Sequence, residues 1–183
     1  MLTALVKNWW IAAVRGGLGI LLGLMLLLLP RVGLGEVVAL FGAYAVLDGL
    51  CAVVSAVRIS RVPLEAWPVG LEGVVSIALG VVALAAPFEA AGFVRVIAIW
   101  GLVTGILEIV AAMRVPRVVE GHWLLATGGV WSIFLALLLL GLPHAVTDYL
   151  VKAIGVYAVV FGALVALAAF MFWRVVRRET ASG

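Results

Sequence analysis

Trp10, Trp67 and Trp123 stand 57 and 56 residues apart, and each is followed 20 positions later by a proline: Pro30, Pro87 and Pro143. Self-similarity at a fixed period of this size makes each copy one supersecondary unit, so the chain is one unit written three times. The copies are read as residues 7–61, 62–117 and 118–178 of one integral membrane domain spanning 1–183, with a short basic tail over 174–183.

The nature of the unit follows from composition. The chain is 67% hydrophobic and 11% charged, and its mean hydropathy of +1.33 lies far outside the range of a water-soluble domain. Each copy holds two apolar runs separated by a short polar hinge, giving six: 9 to 29, 37 to 57, 67 to 86, 93 to 113, 123 to 142 and 149 to 173. Each approaches the roughly 20 residues that cross a bilayer core as a helix. Unpaired backbone groups are not tolerated in lipid, and runs this long without alternation are not barrel strands. The expected fold is therefore all-α, a polytopic membrane protein with six transmembrane helices arranged as three tandem parallel hairpins. The first run is too long for a removable signal and lacks a small-residue cleavage site before Pro30.

The net charge of +3 does not form a basic patch that would bind nucleic acid, because the cations occur in ones and twos between apolar runs. They read instead as topology signals. Lys7, Arg58, Arg61, Arg114, Arg117, Arg174, Arg177 and Arg178 fall on one side; Arg31, Arg95 and Lys152 fall on the other, with Glu36, Glu89 or Asp148 nearby. Both termini are thus expected to be cytoplasmic, and Trp9, Trp10, Trp67, Trp123 and Trp173 lie at the same ends, where an aromatic belt sits. The outer connections are too short to hold a folded domain.

Counting from each opening tryptophan exposes the repeat in finer detail. Positions +6, +9 and +13 read Gly16, Gly19 and Gly23, then Gly73, Ser76 and Gly80, then Gly129, Ser132 and Ala136. This spacing puts small residues on one helix face, where backbones can approach closely. The expectation is that the first, third and fifth helices pack on one another through it, with these small faces along a pseudo-threefold axis. The even helices carry an aromatic followed by small-xxx-small: Tyr44-Ala45 then Gly49, Trp100-Gly101 then Gly105, Tyr157-Ala158 then Gly162. Such a motif serves homodimers as well as packing within a bundle, and its presence in every copy favours the latter.

Apart from Arg95 and Lys152 near the outer ends, four charged residues lie inside the runs: Arg15, Asp48, Glu72 and Glu108. Arg15 and Glu72 share position +5, where the third copy has Gly128. Opposite charges at one depth suggest a pair, about 8 Å inside the membrane boundary at 1.5 Å per residue. Glu108 lies at similar depth and Asp48 somewhat deeper. An isolated charge near the bilayer centre costs about 2.5 to 3.5 kcal/mol on the mildest scale, so these four are expected to share hydrogen bonds, or one or more of the acids to hold a proton.

The segments Asn8-Trp9-Trp10, Arg15-Gly16, the glycine-rich run to Pro30 and Gly42-Ala43-Tyr44-Ala45-Val46-Leu47-Asp48-Gly49 resemble the HdeD-like family of bacterial short-repeat membrane proteins. Copy two fits through Trp67, Glu72-Gly73, Gly80, Pro87, Trp100 and Gly105, and copy three through Trp123, Gly129, Pro143, Gly155, Tyr157 and Gly162. The resemblance covers essentially the whole chain. It implies a six-helix inner-membrane protein and a setting in acid or envelope stress, and it assigns no catalytic role to Arg15 or Glu72.

Two readings of the charged cluster follow: a proton-sensing or proton-conducting site, and a polar clasp that fixes which hairpin neighbours which. The absence of a continuous polar file favours the clasp. Other chemistry finds little support. Cys51 stands alone in an apolar run, His122 and His144 lie on opposite sides, and no nucleophile motif occurs. No catalytic, metal or cofactor site is expected. The lipid bilayer is the expected partner, and a homo-oligomer stays open. The rival from another class is a small transporter or channel for protons or a small solute. Parallel repeats suit a rocking carrier poorly, and a pore along the pseudo-threefold axis would need a polar lining.

Overall fold

The computed structural model describes residues 8–29, 33–59, 63–86, 88–114, 122–141 and 147–181. Among these, six helices run in chain order: α1 Trp9–Leu28, α2 Leu34–Ile59, α3 Pro63–Ala85, α4 Ala90–Arg114, α5 His122–Gly141 and α6 Thr147–Ala181. All six are long and apolar enough to cross a membrane. Pro30, Pro87 and Pro143, together with Lys7, Arg31, Arg61, Arg117 and His144, lie outside the described residues, as do the side chains of His122 and Asp148.

The helix bounds depart from the apolar runs where local chemistry extends them. α2 starts at Leu34, and Glu36 turns back to accept the Gly33 N–H at 2.8 Å, half of a capping box. α3 starts at Pro63, four residues ahead of the apolar run. Proline suits the first helical position because its fixed φ is already helical and no N–H is wasted. α6 spans 35 residues and carries the basic tail with it to Ala181. Its length of about 50 Å exceeds the roughly 30 Å of a bilayer core, so the tail continues the helix past the membrane boundary.

The helices close into a ring in which each touches the next in sequence and α6 returns to α1. The contacts alternate. Pairs within a repeat, α1/α2, α3/α4 and α5/α6, are loose, while α2/α3, α4/α5 and α6/α1 are intimate seams between repeats. The expectation that odd helices pack on one another is therefore corrected: among the described residues, the small face of each odd helix lies on the aromatic-small face of an even helix from the neighbouring repeat.

Distances repeat almost identically around the ring. A Cβ placed on Gly49 would stand 2.6 Å from the Gly73 carbonyl oxygen, one on Gly105 2.6 Å from that of Gly129, and one on Gly162 2.6 Å from that of Gly16. No real side chain tolerates such separations, so glycine is required on both sides of the seam. One or two turns further along, Gly80 faces Gly42, and Gly23 faces Gly155. The equivalent level of the α4/α5 seam uses Ala98 and Ala136, both wholly buried.

Inside the ring the structure also revises the expected lining. The core draws on all six helices, with Leu22 and Leu26 from α1, Phe41 and Tyr44 from α2, Ala83 from α3, Phe93 and Trp100 from α4, Leu135 and Leu139 from α5, and Ile154 and Tyr157 from α6. Phe41 meets the rings of Phe93 and Trp100 edge-on at 5.6 and 5.3 Å. The small residues occupy the seams, and the centre is plugged by aromatic and aliphatic side chains.

Substituting a seam glycine should therefore cost more than substituting a lipid-facing one. Gly73→Ala drives a methyl to 2.7 Å from the Gly49 carbonyl, and overpacking of this kind costs about 1–3 kcal/mol. Gly17 has nothing within 4 Å, so Gly17→Ala should be neutral or should stabilise by up to about 1 kcal/mol through helix propensity. Unfolding of the two variants in the same detergent checks the contrast.

Candidate functional site

The seams decide where the buried charges meet. Asp48 and Glu72 each immediately precede a glycine of the α2/α3 seam, Gly49 and Gly73. Close approach of those glycines sets the two acids side by side. Arg15 precedes Gly16 of the α6/α1 seam in the same way. Its guanidinium reaches both. Nε donates to Asp48 Oδ1 at 2.8 Å, and Nη2 donates to Asp48 Oδ2 at 3.0 Å. Nη2 also donates to Glu72 Oε1. The planar fork thus grips one carboxylate in bidentate fashion and a second from one edge, a geometry that lysine would not reproduce.

These side chains are almost closed off from the surroundings, at 13% exposure for Arg15, 2% for Asp48 and 3% for Glu72. Apolar layers bound them on both sides along the ring axis. Towards the basic end, position +1 supplies Ile11, Pro68 and Leu124, all buried. Towards the other end come the leucines and aromatic rings of the core.

Glu108 stands apart from this triad. Its Oε2 atom is enclosed and has no hydrogen-bond partner among the described residues. It lies against Gly128, 3.8 Å from where a Cβ would be, and the Phe161 ring edge shares that space at 3.5 Å. The sequence reading grouped all four charges. The structure brings Arg15, Asp48 and Glu72 into direct contact and leaves Glu108 outside their hydrogen bonds.

The nine small residues named for packing lie at the seams, but two of them do more. Ser76 accepts the indole N–H of Trp100 at 3.0 Å, and Ser132 shares a 2.8 Å hydrogen bond with the Tyr157 hydroxyl. Each bond ties the two helices of one repeat across their loose contact. Copy one has Gly19 in place of the serine and lacks this bond. The signal was available, since the +9 serine occurs in two copies and each of those copies has a hydrogen-bonding aromatic in its even helix. At the basic end, Arg58 stacks over Trp10 and Arg114 over Trp67, both at 5.3 Å. The corresponding residue in copy three is Met171; there Arg177 lies over Trp173 at 5.0 Å, and Trp173 meets Trp9 across the α6/α1 contact at 6.4 Å.

Residues 14–71, 71–141 and 127–181 each match the family described as a short repeat of unknown function (DUF308). The chain belongs to this short-repeat family. No curated protein matches the chain, and no solved structure matches it. Each matched segment includes the small face of an odd helix and the aromatic-small face of the following even helix. The family's repeat therefore covers the parts that build the seams. A multi-pass membrane protein of six helices is the common ground of family, composition and structure.

Removing either serine should test the latches. Ser76→Ala strands the buried Trp100 N–H, and Ser132→Ala strands the Tyr157 hydroxyl. Hydrogen bonds between membrane helices average about 0.6 kcal/mol and reach about 1.7, so each variant should lose that amount in equilibrium unfolding. Gly19→Ser is not expected to gain it, because a Cβ there would stand 3.2 Å from the Gly162 Cα.

Proposed function

We propose that this short-repeat protein is a non-enzymatic integral component of a bacterial-type inner membrane, of the HdeD-like type, serving in acid or envelope stress, and that its Arg15–Asp48–Glu72 triad is a polar clasp. The observation that carries the clasp is the single guanidinium shared by carboxylates from two other helices, sealed between apolar layers. An arginine from copy one holds an acid from its own copy and an acid from copy two. That bridge crosses a repeat boundary, where a device fixing the order of hairpins would have to act. The stress setting rests on the resemblance alone.

The sealed position also supports the clasp over the transporter. A carrier or channel needs polar groups in file from one face to the other, whereas the file here stops at Ile11, Pro68 and Leu124 on one side and at the aromatic plug on the other. Removing one member of a buried ion pair leaves its partner uncompensated, at a cost of about 3–5 kcal/mol. Arg15→Glu and Glu72→Arg alone should each reduce the yield of folded protein sharply, and the double swap should restore much of it. If single variants keep their yield and only a pH-dependent phenotype is lost, the clasp is wrong. Mutation-sensitive proton or solute flux in proteoliposomes would favour the transporter instead.

Orientation belongs to the same proposal and is supported by the cation bias and by arginines stacked on tryptophans at the basic end. With both termini cytoplasmic, a C-terminal green fluorescent protein should fluoresce and a C-terminal alkaline phosphatase should be silent. The reverse pattern rejects the orientation.

A further inference from the structure

We propose that Glu108 is a one-proton site, carrying its carboxyl group as the neutral acid inside the folded bundle. The inference goes beyond the clasp and does not depend on it. It begins from the charges that the ring encloses: one arginine against Asp48, Glu72 and Glu108, a formal sum of +1 − 3 = −2. The arginine is committed to the first two acids by three donated hydrogen bonds. Among the described residues, the ion pairs of this arginine reach Asp48 and Glu72 and not the third acid.

The groups around Glu108 offer no substitute for one. From α3 comes the carboxylate of Glu72, from α2 that of Asp48 and from α1 the guanidinium already engaged by both. From α5 come the bare backbone of Gly128 and the hydroxyl of Ser132. From α6 come the Phe161 ring and the Tyr157 hydroxyl, the latter bonded to Ser132. Ser132 spends its own proton on the Gly128 carbonyl at 3.1 Å. An anionic Oε2 in this place would be enclosed and unbonded.

A metal ion is a poor candidate for the missing charge. It would need several oxygens at bonding distance, and no group of three metal-binding side chains occurs among the described residues. A proton needs only the one oxygen atom. Taken from water as the bundle forms, it converts the Glu108 carboxylate to the acid by forming one O–H bond, and it lowers the enclosed charge from −2 to −1.

The test uses the full chain, purified in detergent micelles. Infrared spectra at neutral pH should contain a protonated-carboxyl C=O band that disappears in Glu108→Gln. Reversible unfolding supplies an independent readout. The folded state would hold one proton that the unfolded state releases above the ordinary carboxyl range, so wild-type stability should fall as pH rises. The unfolding constant should grow by about tenfold per pH unit for one proton, and Glu108→Gln should remove that slope. Replacing choline chloride by sodium chloride at fixed pH should change nothing. Three results overturn the proposal: no protonated-carboxyl band in the wild type, a band and slope that persist in Glu108→Gln, or stabilisation by sodium in place of protons. If the variant fails to fold, absence of the band from the wild-type spectrum still overturns the proposal. The clasp is judged separately by the Arg15/Glu72 swap.

Discussion

Close backbone approach at the three seams is the constraint on which the rest of this structure depends. In lipid, helices gain nothing by hiding apolar surface from one another, because the surrounding chains are as apolar as leucine. What remains is dispersion between well-fitted surfaces and hydrogen bonds across them. Glycine against glycine, with a would-be Cβ 2.5 to 2.7 Å from the opposing carbonyl at the innermost level of each seam, brings main chains as near as helices can come. The large residues are then displaced to the ring interior or to lipid. Phe41, Phe93, Trp100 and Tyr157 fill the centre because the seams leave them no other buried place.

The same seams act as an addressing system. At the level of Gly16, Gly49, Gly73, Gly105, Gly129 and Gly162, the residue just before each seam glycine is held at one depth, and these six positions form three pairs: Asp48 with Glu72, Thr104 with Gly128, and Phe161 with Arg15. The backbone scaffold is threefold, but its occupants are not. One pair is doubly acidic, one supplies the base, and the third is nearly vacant. Glu108, one turn from Thr104, lies over that vacancy. Asymmetry in a symmetric frame is how a repeated chain can acquire a local site without altering its packing.

The sequence disclosed the repeat, the helices and the small faces, because periodicity of 56–57 residues and runs of about 20 apolar residues are one-dimensional signals. It did not disclose the partner of each face. Gly16, Gly19 and Gly23 make a surface that fits any other small surface, and nothing local distinguishes another odd helix from the even helix of the next repeat. Depth was legible from counting, so Arg15 and Glu72 could be placed at one level. Reach was not: counting put Asp48 deeper, whereas the Gly49–Gly73 approach sets it beside Glu72, where the long Arg15 side chain takes it as its bidentate partner. Glu108, at the expected depth, faces Gly128 and misses the triad because azimuth around the ring depends on seam geometry.

Three nearly equivalent seams create a register problem. Each even helix could in principle dock on any odd helix, since Gly49, Gly105 and Gly162 present the same face to Gly73, Gly129 and Gly16. Apolar packing discriminates weakly among these choices, whereas buried charge discriminates strongly. The α2/α3 seam places two carboxylates together and is self-repelling until Arg15 arrives, so α1 must lie on the same side of the interior as that seam. Docking α2 on α5 would separate Asp48 from Glu72 and leave at least one acid without a cation, at about 2.5–3.5 kcal/mol for a charge near the bilayer centre. On the proposed reading, the triad contributes little net stability to the correct bundle and much to its margin over the incorrect ones. A single buried polar residue fixes register in the same way in some coiled coils. It also accounts for the sealing layers at Ile11, Pro68 and Leu124, because a charge penalty discriminates between bundles only where water cannot relieve it.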